Sequence, residues 1–89
     1  MTRKEFIDKW MNVKWKKSTH SESRYVNVPK GNPQYNVAYL PDFMDNSVWV
    51  YTVRPCNEKA GGFSDRKFRT ADEAKLAGLN RAADLLGLV

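Results

Sequence analysis

Cysteine and histidine each occur once in the 89 residues, as Cys56 and His20. A single cysteine excludes an internal disulfide framework. One of each, far apart in sequence, leaves no ligand spacing for a zinc module or another metal site. No cofactor-binding pattern is present either, because Gly61-Gly62 alone is a turn signal and not a phosphate-cradling loop. Apolar runs are short, and none approaches the roughly 20 residues that a membrane-crossing helix requires. The first eight residues, Met1 to Asp8, are charged and carry no apolar stretch ahead of a small-residue cleavage site, so no secretion signal is read. These absences make a reducing cytoplasm the expected compartment.

Catalysis also lacks its parts. His20 sits among Ser18, Thr19 and Ser21 in a polar stretch, and a Ser–His–Asp arrangement needs a base held in place by a third group. Cys56 follows Pro55 at the end of an apolar segment and reads as a small half-buried hydrophobe. The chain is expected to be a binding protein and not an enzyme.

What is there suits one compact domain spanning residues 1–89. Hydrophobic residues make up 42% and aromatics 12%, too much for a disordered chain. At this length roughly 60% of the unfolded surface can be buried, enough for one modest core and no deep cavity. Fifteen basic residues against ten acidic ones give a net charge of +5. The excess is uneven, since the first thirty residues hold eight basic and three acidic side chains. Such asymmetry points to an acidic partner.

The spacing predicts a helix over 2–15, opened by a capping box of Thr2 and Glu5 and carrying Phe6, Ile7, Trp10, Met11 and Val13 on one stripe. Residues 16–34 read as a long polar connection with room for a short strand at Arg24–Val28. Alternation predicts a strand at 35–40, with Tyr35, Val37 and Tyr39 on one face and Asn36, Ala38 and Leu40 on the other. The β-branched and aromatic run Val48–Val53 predicts the strongest strand at 47–54. A third strand is expected at 65–69. A second helix is expected over 70–86, with Thr70 and Glu73 at its start and Gly87 to end it. Its small residues Ala74, Ala77, Gly78 and Ala82 would let it lie close against a sheet. The expected fold is α+β: a three-stranded antiparallel sheet packed on one face by the N- and C-terminal helices.

Cations mark the candidate contacts. Arg66, Lys67 and Arg69 directly precede the second helix, whose free amides and dipole favour a phosphate, and Lys75 stands one turn in. Lys9, Lys14, Lys16 and Lys17 form the other basic group. Asp65, Asp72 and Glu73 oppose a polyanion beside the first cluster.

The order helix, three strands, helix resembles a double-stranded-RNA-binding domain. Pro33-Gln34-Tyr35-Asn36-Val37 is similar to the Pro-x-Tyr-x-Val that opens that family's first strand, and Ala74 to Ala83 loosely follows its small-residue helix pattern. The resemblance implies a non-catalytic protein that grips a double helix by its phosphates. The chain departs from the family where Ala71 and Asp72 replace a lysine pair and where the loop Pro41–Asn46 is acidic. The junction Phe68–Ala74 also resembles integrase arm-binding and ethylene-response DNA-binding domains. That second resemblance implies a sheet face laid in the major groove, with Arg54 as the candidate on the strongest strand.

Double-stranded nucleic acid, RNA or DNA, is therefore the first expected partner. The alternative is a host protein, since small mixed-charge chains of this kind resemble phage and mobile-element products that block a host enzyme. Phe43 and Met44 would then be the anchors. A homodimer is the simplest larger assembly, formed through Trp10, Trp15 or Trp49 if these are left exposed. No membrane contact is expected.

Overall fold

The computed structural model describes residues 1–19, 22–28, 34–56, 62–63 and 66–89. His20, Pro33, Gly61 and Asp65, singled out above, lie outside them.

Helix α1 spans Arg3–Asn12. The Thr2 hydroxyl accepts from the Glu5 amide at 3.1 Å, and the Glu5 carboxylate accepts from the Thr2 amide at 3.1 Å. Two amides that the helix leaves without partners are thereby satisfied. The helix ends before the expected residue 15 because Val13 is extended, with φ −87° and ψ 157°. Trp15 turns back there and donates its indole N–H to the Trp10 carbonyl at 2.8 Å.

Five strands follow, paired as neighbours in chain order and all antiparallel: β1 (Lys16–Lys17), β2 (Arg24–Val28), β3 (Tyr35–Pro41), β4 (Trp49–Pro55) and β5 (Gly62–Phe63). Helix α2 spans Ala71–Leu85. The class is α+β, but the three-stranded sheet expected from the sequence is corrected to five strands among the described residues. Residues 16–17 and 24–28, read mainly as connection, add two strands on one side. On the other side β5 takes the free edge of β4 at Thr52 and Val53. The expected strand at 65–69 is reduced to one bridge between Phe68 and Trp49. Its charged residues Arg66 and Lys67 have low β preference, and the chain turns into α2 directly after Phe68.

Both helices share one face of the sheet. Phe6 and Trp10 of α1, Leu79, Ala82 and Ala83 of α2, and Val28 and Val37 of the strands form one buried cluster with Trp15. Phe6, Val28, Val37 and Leu79 are the largest fully buried side chains, each contributing roughly 1.5–3 kcal/mol by leaving water. The helices run antiparallel. The Arg3 guanidinium, at the start of α1, bonds Asn80 at 3.2 and 3.3 Å, the Leu88 carbonyl at 3.0 Å, and Asp84 near the end of α2. This places a cation at the negative end of the α2 dipole. Gly87, with φ +73°, then closes the helix through amides of residues 86–88 bonded back to Ala82, Asp84 and Ala83.

The approach of α2 to the sheet is set by its smallest side chains. Ala74, Gly78 and Ala82, spaced by four, are all buried. A β-carbon at Gly78 would lie 3.0 Å from Val37 Cγ1 and 3.3 Å from Tyr51 Cβ. Replacing Gly78 by Leu must therefore push α2 off β3 and β4. We expect a loss of about 1–3 kcal/mol from overpacking, although leucine is the better helix former, measured as a lowered urea midpoint.

Candidate nucleic-acid interface

The register divides the sheet into two unlike faces. Arg24, Val26 and Val28 pair with Tyr39, Val37 and Tyr35, and these with Tyr51, Val53 and Pro55. This set lies under the helices. Trp15, Tyr39 and Trp49 continue it as an aromatic row, with centroids 5.2 and 6.0 Å apart. The other face is built of Tyr25, Ala38 and Thr52 in one row and Asn27, Asn36 and Arg54 in the next. Lys16 enters the first row beside Tyr25.

No helix among the described residues covers this second face. The strands supply four cations, Lys16, Lys17, Arg24 and Arg54, and no acidic residue. The described carboxylates belong to α1, α2 and the turns. Of the four strand cations, Lys16 and Arg54 lie on the open face, whereas Arg24 and its neighbour Lys17 fall on the helix side, so the open face carries two cations beside its hydrogen-bonding side chains. Asn36 Nδ2 donates to Asn27 Oδ1 at 3.0 Å, which orients both amides. A concavity of about 440 Å³ lies at its centre, with Ala38 as the smallest lining residue and Ser18, Ser23 and Arg54 among the others.

The predicted cations fall into separate groups. Lys14 is exposed just before β1, and Lys16 and Lys17 form that edge strand. Arg66, Lys67 and Arg69 are exposed at the opposite margin, beside the start of β4. Within this group Arg66 lies over the Phe68 ring at 6.0 Å, and Lys67 Nζ sits 3.0 Å from Asp42. Lys9, on α1, lies over the Trp10 ring at 5.2 Å.

Lys75 is turned inward. It donates to the Met11 carbonyl at 2.9 Å and sits 5.1 Å above the Trp15 ring. Burial pushes its ammonium below the ordinary 10.5. It satisfies a carbonyl at the end of α1 and ties that end to α2. Asp72 and Glu73, at the start of the same helix, are exposed.

Phe43 and Met44 project from the β3–β4 turn at 90% and 81% exposure. The turn is shaped by Asp45, whose carboxylate accepts from the Ser47 hydroxyl at 2.6 Å and the Ser47 amide at 3.0 Å. These bonds hold the Asp45 carboxyl below its ordinary 3.8, so it stays charged beside the apolar tip. Trp10 and Trp15 are 5% and 6% exposed and belong to the core, so neither is available as a dimer anchor.

Among the described residues no three or more His, Cys, Asp or Glu side chains gather where they could hold a metal ion. No described helix is long and apolar enough to cross a membrane. Arg54 was accessible to sequence reasoning through its place on the strongest strand. Tyr25, Asn36 and Thr52 were missed as a group. Their alternation with valines places each on a face, but only the register brings the three strands' residues together. In comparison with known proteins, the chain matches no family model, no curated protein and no solved structure.

The inward bonding of Lys75 makes it a stability residue. Replacing it by Met keeps the apolar stem over Trp15 and removes the donor to Met11. The expected loss is about 1–2 kcal/mol for an unsatisfied carbonyl, read as a lower thermal midpoint by circular dichroism.

Proposed function

We propose that the chain is a non-catalytic module that binds nucleic acid, taking a double helix against the open face of its sheet through phosphate contacts. The placement of charge carries this reading: Lys16 and Arg54 lie on the open face, and among the described residues the carboxylates stand on helices and turns and none on a strand. Lys16 and Arg54 point from the same face, on strands three places apart. At about 4.8 Å per strand spacing that is roughly 14 Å across, close to the roughly 12 Å width of a B-form major groove. Amide and hydroxyl side chains between them suit base edges and phosphate oxygens alike.

The order of helix, antiparallel strands and helix supports a double-stranded-RNA-binding-like arrangement as the finer description of the fold. The contact surface, however, moves away from the start of α2, where Lys75 faces inward and Asp72 and Glu73 face solvent. It moves to the sheet, as the resemblance to integrase arm-binding and ethylene-response domains implies. The cations at 66–69 and at 14–17 then flank the sheet from its two margins and reach phosphates further along the helix.

Gel shifts with duplex DNA and duplex RNA across a salt series test this. Binding should fall steeply between 50 and 200 mM salt, and Lys16→Glu with Arg54→Glu should weaken it and flatten the salt slope by about 0.9 for each lost contact. Absence of any shift at low salt overturns the proposal.

A second reading is favoured by one observation, the solvent-facing Phe43–Met44 tip with charged Asp45 beside it. Such a tip suits an apolar pocket rimmed by basic residues on a host protein. In that case a protein partner captured from nuclease-treated lysate should be lost when Phe43 and Met44 are both replaced by Ser, and kept when Lys16 and Arg54 are replaced by Glu. The reverse pattern sinks this alternative.

A further inference from the structure

The open face is not flat. Its middle row runs Tyr25, Ala38, Thr52. Ala38 offers only a methyl group where its neighbours offer longer side chains, so the sheet surface dips there. Ala38 is 7% exposed and forms the floor. Tyr25, Leu40 and Thr52 stand around it, and Asn36 and Arg54 occupy the next row on one side. Ser18 and Ser23 close the other side, held together by the Ser18 amide donating to the Ser23 carbonyl at 3.0 Å. Ser18, Ser23 and Arg54 each make a further interaction within the protein.

Size and chemistry narrow what the cup could take. About 440 Å³ lies within the range of small-molecule sites and exceeds what a bare phosphate group would fill. Among the described residues Arg54 is the lone charged lining residue and no carboxylate lines the cup, so the group its guanidinium would meet is an anionic one. The guanidinium fork matches phosphate oxygens in pairs. Beside it, the Tyr25 ring and the Ala38 methyl offer a surface for a planar ring, and the Asn36 amide and Thr52 hydroxyl can meet that ring's polar edge.

We infer that this cup binds one nucleotide unit, with the phosphate at Arg54 and the base lying over Ala38 against Tyr25. The inference rests on the reading of the chain as a nucleic-acid-binding module and adds to it a preference. A base can enter the cup only when it is out of the stack. An unpaired or extruded nucleotide, at an end or a bulge, is therefore preferred over an uninterrupted duplex.

Titration with adenosine 5′-monophosphate, followed by nitrogen–proton NMR, tests the cup directly. The side-chain signals of Asn36 and Arg54 should move and saturate. Adenosine and inorganic phosphate should each bind at least tenfold more weakly than the nucleotide. Ala38→Leu, which fills the dip without changing charge, should abolish the response, and Arg54→Lys should weaken it tenfold or more. Should Ala38→Leu fail to fold, the Arg54→Lys result decides. Unchanged nucleotide binding in a folded Ala38→Leu variant, or inorganic phosphate binding as tightly as the nucleotide, overturns the inference. Gel shifts run alongside with a perfect and a bulged duplex keep the two claims apart. Equal shifts for both duplexes, with Ala38→Leu shifting them as the wild type does, remove the cup and leave duplex binding standing. No shift of any duplex by the wild-type chain removes the broader reading instead.

Discussion

The approach of α2 to β3 and β4 is the constraint on which the rest depends. Gly78 lies so near Val37 and Tyr51 that a single added carbon would touch both. That contact draws Leu79, Ala82 and Ala83 into the cluster that also takes Phe6 and Trp10 from α1. A chain this short can bury one core only. Once both helices are committed to one side of the sheet, the other side is left largely to polar side chains, and the open face is a consequence of that commitment.

The same packing sorts the cations. Arg3 and Lys75 have the composition of surface charges but serve as ties between the helices, one at each end of the antiparallel pair. Both bond carbonyls near helix ends, where backbone acceptors lack partners. Their positive charge is already answered inside the molecule. Lys16 and Arg54 differ because the pleat turns them away from the helices. The ion pair between Lys67 and Asp42, whose side chain is 14% exposed, marks the opposite margin, where charges are mixed.

Much of the architecture was legible because its signals are local. The Thr2–Glu5 box opens α1 within four residues of chain, and Thr70 accepts from the Glu73 amide at the start of α2. Strand β3 announces itself by alternation and β4 by its β-branched and aromatic run, over seven residues each. The two-residue strands β1 and β5 could not be read that way, since two residues carry no period. They exist because a neighbouring strand offers unpaired amides and carbonyls. Residues 65–69 show the converse, where a strand was expected and only the Phe68 bridge to Trp49 forms.

The amino-acid sequence by itself determined the helix starts, the two long strands and the excess of positive charge, because each depends on residues close together in the chain or on composition alone. Only the tertiary structure decided that Lys75 faces inward, that Phe43 and Met44 face outward, and that Tyr25, Ala38, Thr52 and Arg54 meet around one hollow. Those outcomes follow from strand register and helix placement, which join residues far apart in sequence, and no local pattern encodes which partners will meet.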